Sequence, residues 1–403
     1  MRFGVFGVVA MALAALPSIQ AKADPKQQAN ELLEKCLAEK NGCTRLRLSR
    51  AKGLDQLPPT VLTTRSIRGL DLSGLPIADL TLLSLMPWIE DLNLDRTEAD
   101  LTPLKQLPVL TRLQLGRAAT DLAPLGGLDT VRELRLNGAK ASNYDAIGQM
   151  KTLRFLDMSR SGVSDIGFLS SLGALQYLYL ADTKITDLTP LAGLATLETL
   201  NLDGTRISDL SALTEMPVLD DLNIGDTDVT DLGPVGKMKN LRALALDNRQ
   251  VTDLGPLTGM LRLRRLQVGE SGITDLTPLS TIPSLTEVTI WKSPIADVAP
   301  LGKLTALQTL NLSGAPAEAT GFAALASLTR LRNLALQNMT VQDLSFVSGM
   351  GELRSVNLRG SAVGDLTPLL ELPELKNVTL NDATGVDDGQ VAALEAKGVK
   401  VRR

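Results

Sequence analysis

Aspartate is the residue whose spacing in this chain could do chemistry. It is the third residue of ITDLTPL, a heptapeptide found at residues 185–191 and again at 273–279, 88 residues or four times 22 further on. It recurs at Asp79, Asp100, Asp121, Asp165, Asp187, Asp209, Asp231, Asp253, Asp275, Asp297, Asp343 and Asp365. Carboxylates can pair as a general acid with an ionised partner, gather round calcium, or accept hydrogen bonds from backbone N–H groups. A dozen copies at one position of a repeat favour the third role, since an active site or a calcium site needs only a few. Proline two or three residues after most of these aspartates suits the first turn of a helix, where its missing N–H costs nothing.

Other chemistry is thinly supplied. The chain has no histidine, which excludes a Ser-His-Asp triad, a Cys-His pair and the usual zinc sites. No phosphate loop or dinucleotide fingerprint is found. No enzyme activity, metal or cofactor is therefore expected. The net charge of −4 gives no basic footprint for nucleic acid, and loss of Arg2 and Lys22 with the first 23 residues takes it to −6. Cys36 and Cys43 are the only cysteines, and an even pair in an exported chain reads as a disulfide across the Asn41-Gly42 turn.

Export is read from residues 1–23, MRFGVFGVVAMALAALPSIQAKA. A basic start, a fourteen-residue uncharged apolar run (3–16) and an A-x-A ending are the layout of a cleaved signal peptide. The run is short of the roughly 20 residues a spanning helix needs, and no later segment could span a bilayer. The mature chain is expected to be exported, either periplasmic or secreted.

The elements that position the aspartates come from the repeat. The second residue of each Leu-x-Leu pair falls at Leu48, Leu72, Leu94, Leu115, Leu136, Met158, Leu180, Leu202, Ile224, Leu246, Val268, Ile290, Leu312, Leu336, Leu358 and Leu380, mostly 22 residues apart, with two steps of 21 and two of 24. In the unit LQYLYLADTKITDLTPLAGLA, residues 175–195, Leu178 and Leu180 alternate with Tyr179 as in a strand with one buried face. Leu188, Leu191, Leu194 and Leu197 then recur every three residues, the spacing of 3₁₀ turns. Such a unit buries its apolar side only against copies of itself. A last strand at 399–401 closes a stack of 16 to 17 strands, roughly 75 Å long at ~4.8 Å per strand.

The pattern L-x-x-L-x-L-x-x-T-x-I-T-D-L-x-P-L-x-x-L resembles bacterial leucine-rich repeats, above all the 22-residue type of the internalins, which are exported and bind host-cell proteins. The resemblance covers residues 45–403. It implies an α/β leucine-rich repeat solenoid: a horseshoe with a concave parallel β-sheet and convex 3₁₀ or short helical turns. The usual asparagine after the strand is here often Thr or Ser, as at Thr97, Ser161, Thr183, Thr205, Thr227, Ser271 and Ser361. The expected organisation is a signal peptide at 1–23, an N-terminal helical cap at 24–44, the solenoid at 45–386 and a C-terminal capping unit at 387–403. One irregular unit, SGAPAEATGFAAL at 313–325, carries two extra residues that read as a bulge on the convex side.

Non-leucine strand positions and the two residues after each strand face solvent on the concave side. Arg96, Arg112, Arg117, Arg135 and Arg160 lie there in neighbouring rows, interspersed with Asp95, Glu133 and Asp157. Phe155, Tyr177 and Tyr179 follow, three of the nine aromatics outside the signal, and then Asp182, Asp203, Asp221, Asp226 and Asp247. Trp291 is expected as one more exposed aromatic. Aromatics flanked by arginines have the composition of binding hot spots. The reading is a protein partner held on the concave sheet, with a glycan stacked on the tyrosines and Trp291 as the alternative and an envelope hydrolase as a third.

Overall fold

In each repeat two leucines flank one outward residue, and only a strand of alternating faces buries both. In the computed structural model, which describes residues 24–316 and 319–403, seventeen such strands form one parallel sheet; the signal expected over residues 1–23 lies outside the described residues. Each strand pairs with the next in the chain, so that Leu46 lies opposite Leu70, Leu70 opposite Leu92, and the register continues to Val378 opposite Val401. Most strands are three residues long; Arg265–Gly269 and Glu287–Trp291 extend to five. The first and last strands each have a single neighbour, so the sheet is open at both ends.

The convex side is built of single turns. Thr189–Leu191 and Ser211–Leu213 are 3₁₀ segments, and Gly233–Lys237 is a short α-helix in the equivalent place. Leu188, Leu191, Leu194 and Leu197 are all at most 3% exposed. One aliphatic core runs from Ala29 to Val399. The two extra residues of the irregular unit enter the climb between the strand Thr309–Asn311 and the 3₁₀ segment Phe322–Ser327, ahead of the convex turn itself. Thr320 bridges there to Asp297 of the preceding repeat.

The backbone caps are where the spacing placed them. All twelve aspartates accept a hydrogen bond at 2.7–2.9 Å from the N–H two residues on, as Asp79 does from Thr81 and Asp209 from Ser211. At Asp79, Asp187, Asp209, Asp343 and Asp365 that N–H, joined by the hydroxyl of the same residue, holds the carboxyl below its ordinary 3.8. At Asp100 and Asp275 the hydroxyl contributes more than the N–H. The Thr and Ser residues that replace asparagine are buried. Thr97 donates to the Leu72 carbonyl of the preceding repeat, and Thr183, Thr205 and Thr227 donate to carbonyls three residues back.

Both ends are covered differently. Asp24 caps the helix Pro25–Leu37 through the N–H of Lys26, and the helix buries Ala29, Leu33 and Cys36 against the first repeat. Cys36 and Cys43 are disulfide-bonded, their Cα atoms 4.9 Å apart. At the other end Asp387 caps the helix Asp388–Ala396, which buries Val391 and Leu394 before the final strand Lys400–Arg402.

Two measurements test this account. Replacing both cysteines by serine should destabilise the N-terminal end by about 2–4 kcal/mol, read as a lower denaturant midpoint and faster amide exchange in residues 25–48. Because the carboxyls of Asp79, Asp100, Asp121, Asp187, Asp209, Asp275, Asp343 and Asp365 titrate lower in the folded chain than in the unfolded one, their stabilisation is complete above the ordinary 3.8 and is lost as pH falls through the depressed folded values. Melting temperature should therefore drop steeply below about pH 3.8, and Asp209→Ala should lower it at pH 7 by about 1–3 °C; an Asp209→Ala melt that matches the parent at pH 7 contradicts the capping role.

A candidate binding surface on the concave face

In a parallel stack each outward side chain has as neighbours the same position in the rows on either side, about 4.8 Å away. The concave chemistry is thus set by residues about 22 positions apart. Asp91 is 7% exposed and accepts from Arg45 Nη1 at 2.8 Å and Arg112 Nε at 3.1 Å. Arg45 reaches it across an intervening row because that row has Gly69, whose missing Cβ would lie 3.0 Å from the Arg45 Cγ. Of the arginines expected on this face, Arg112 is therefore tied down by Asp91.

The next three rows make the aromatic cluster. Arg135 is held by Glu133 at 2.7 Å and its guanidinium carbon lies 4.5 Å from the centre of the Phe155 ring. Phe155 stands 5.3 Å from Tyr179 and 6.3 Å from Tyr177, centroid to centroid. Tyr177 is 37% exposed and donates its hydroxyl to Glu198 at 3.2 Å, a bond that raises its pKa above the ordinary 10.0. Burial first, and then the carboxylates of Asp221 and Asp157, raise that of Tyr179. Four side chains on three adjacent strands thus form a semi-rigid apolar platform with one cation over it.

Beyond the platform the surface turns acidic. Asp182 pairs with Arg160 at 3.2 Å, and Asp221 is reached by Arg265 from two strands away at 3.4 Å. Burial and the neighbouring Asp226, Asp182 and Asp247 push the Asp203 carboxyl above its ordinary 3.8. Burial does the same at Asp221, opposed by Arg265. Asp247 accepts from Gln267 through one oxygen and buries the other without a hydrogen bond. No group of carboxylates among the described residues is placed to hold a metal ion.

Trp291 departs from expectation. It is half-buried, laid over Gly269 with Lys292 Nζ 4.9 Å from its ring centre. Five strand spacings separate it from Tyr179, about 24 Å, so it does not join the tyrosines in one stacking surface. A Cβ at position 269 would collide with its ring, which is why this row carries glycine.

One feature of the rim escapes reading by position alone. The second residue after the Leu-x-Leu pair adopts positive φ in row after row, and at Arg96, Arg160, Asp182 and Asp226 it is not glycine, with φ of 58°, 59°, 55° and 47°. At three of the four its N–H donates to the next repeat, from Arg160 to the Ala181 carbonyl at 2.7 Å, from Asp182 to that of Asp203 at 2.7 Å and from Asp226 to that of Asp247 at 2.8 Å. The left-handed backbone costs these residues roughly 1–2 kcal/mol each. At Arg160, Asp182 and Asp226 the inter-repeat hydrogen bond offsets part of that cost, and the exposed side chains form a charged edge.

With this geometry the comparison with known proteins is direct. Residues 130–388 match the leucine-rich repeat region family. The chain belongs to the leucine-rich repeat family. An internalin from Listeria monocytogenes superposes with a TM-score of 0.64 at 24% identity, covering 93% of this chain and 100% of its own. A leucine-rich repeat protein of Leptospira interrogans gives 0.73 at 18%, covering 93% and 98%. The ectodomain of the Arabidopsis thaliana receptor kinase GASSHO1/SCHENGEN3, seen in complex with Casparian strip integrity factor 2, gives 0.63 at 16%, covering 87% and 49%. At these identities the likeness is one of fold. No curated protein sequence matches the chain significantly. Leucine-rich repeats are in general protein-recognition modules, and this chain has their fold.

The acidic rows make a stability prediction. Asp203 carries a raised folded pKa, so its charge disfavours folding above that value and the penalty is relieved as pH falls through it. Asp203→Asn should raise the melting temperature at pH 7, and the gain should vanish by pH 3.5. A gain that persists at pH 3.5 would place its cause elsewhere.

Proposed function

We propose that this leucine-rich repeat protein is an exported, non-enzymatic recognition module that binds another protein across its concave sheet, centred on Phe155, Tyr177 and Tyr179 with Arg135. The observation that carries the reading is the aromatic platform: large rings pre-packed on adjacent rigid strands lose little conformational freedom on binding, and they sit between paired charges that exclude wrong partners. The flanks match this pattern. Arg112 and Arg117 lie on one side, and Arg160, Asp182, Asp203, Asp221, Asp226 and Asp247 on the other, so the surface offers both signs of charge around an apolar centre.

Export is supported by the signal layout of residues 1–23 and by the disulfide, which belongs to an oxidising compartment; the periplasm and the exterior both qualify. The internalin-like repeat points the same way. A non-enzymatic role is supported by the absence of histidine from the whole sequence. Trp291 lies too far from the tyrosines to share one ligand face with them, which lowers the reading in which a glycan stacks on all three.

The test is capture of envelope and secreted proteins on residues 24–403 beside a Tyr177→Ala, Tyr179→Ala variant that melts like the parent. A partner retained by the parent should bind the variant at least tenfold more weakly, as for truncation of hot-spot aromatics. Equal binding by the variant would remove the platform from the interface.

A further inference from the structure

A second surface lies on the rim, beside the aromatic platform. The units that begin at Leu94 and Leu115 are 21 residues long, and in them the capping Asp100 and Asp121 follow the strand by six positions, where Asp187 follows Leu180 by seven. The missing residue shortens the climb from the sheet to the convex turns and leaves a hollow of about 440 Å³ there, lined by Thr97, Ala119, Pro124 and Arg117. Over the edge a cleft of about 600 Å³ opens on the concave rim, and Arg117 lines this one as well. The two hollows meet at that side chain.

Arg117 is exposed, has no ion-pair partner among the described residues, and lies across Gly138, where a Cβ would stand 2.9 Å from its Cγ. Arg96 and Arg160, in the rim position of nearby rows, also line the cleft. Each is hydrogen-bonded through Nε only, Arg96 to Asp95 and Arg160 to Asp182, at 3.2 Å in both cases. Their terminal nitrogens are outside those bonds. Both are held at positive φ, a conformation glycine adopts at no cost and does adopt at position 138. Three guanidinium groups are thus presented over about 15 Å of rim, three strand spacings.

The rest of the cleft narrows the ligand. Gln114, Asn137, Ser159 and Asn201 line it with neutral donors and acceptors, and apart from Ala181 it has no apolar side chain. That composition lacks the aromatic or aliphatic anchor of a protein hot spot. The carboxylates of Asp95, Asp182 and Asp203 share the same space, and a chain of anionic acceptors alone, such as polyphosphate, offers them no donor. Carboxylates interspersed with hydroxyls satisfy both sets of groups: guanidinium takes carboxylate bidentately, while amides and aspartates take hydroxyls.

We propose that the rim cleft of Arg96, Arg117 and Arg160 binds an acidic oligosaccharide of the uronate class, with Arg117 on a sugar carboxylate. The cleft shares Arg117, Arg160, Asp182 and Asp203 with the charged flanks of the aromatic platform but contains none of its rings, and the assignment does not depend on the protein-binding reading. The test is calorimetry of the disulfide-bonded protein with tetrasaccharides of galacturonate, alginate and hyaluronan, the fully methyl-esterified galacturonate tetramer, polyphosphate and poly-glutamate. At least one uronate tetrasaccharide should bind, and for the galacturonate tetramer esterification should abolish binding. Arg117→Gln, melting like the parent, should weaken binding at least tenfold, Arg117→Lys less so, and Tyr177→Ala not at all. Binding to none of the three uronates, equal binding by Arg117→Gln, or tighter binding of polyphosphate or poly-glutamate would overturn the assignment.

Discussion

A repeat of one short strand and one tight turn leaves its apolar side open until the next repeat covers it, and the whole molecule depends on that contact. Leu178, Leu180, Leu188, Leu191 and Leu194 are nearly inaccessible because equivalent leucines stand above and below them. Stacking also brings backbone into the dry interior, where every N–H and C=O needs a partner. The parallel ladder supplies partners on the concave side, the aspartates at the entrance to each convex turn, and the Thr and Ser hydroxyls between the two. Each device belongs to one layer of the stack, so each recurs with the repeat.

Where the stack ends or changes length, the same requirement produces something else. The helix Pro25–Leu37 covers the first repeat and is tied to it by a disulfide; the helix Asp388–Ala396 supports the last. Units of 24 residues absorb their surplus in the climb from the strand, and units of 21 leave hollows beside it. Variation in repeat length therefore appears as surface relief while the core stays continuous, and relief is what a ligand meets.

The concave face shows how vertical neighbours govern chemistry. Arg45 crosses the Gly69 row to Asp91, Arg265 crosses the Ala243 row to Asp221, and Arg135 lies on Phe155 from the next strand. Arginines that a listing by row would count as free are in several cases already committed, which leaves the tyrosine platform and the unpaired Arg117 as the available groups. The acidic rows carry like charges whose mutual repulsion raises Asp203. A surface of this kind trades some stability for selectivity, since cost in the free protein is relieved when an opposite charge arrives.

Periodicity determined the strand positions, the convex 3₁₀ turns and the capping role of the twelve aspartates, and the count of two cysteines beside the Asn41-Gly42 turn the pairing of Cys36 with Cys43, because each of these depends on local sequence or on a register that repeats. Phe155, Tyr177 and Tyr179 were legible as neighbours for the same reason: 22 residues along the chain is one strand across the sheet. Tertiary structure alone decided which charges are free, that Trp291 lies half-buried over Gly269 rather than presented to solvent, and that two short units open a cleft at Arg117. Those outcomes turn on side-chain reach across one or two rows and on whether the row between carries a Cβ, and a repeat pattern holds no information about either.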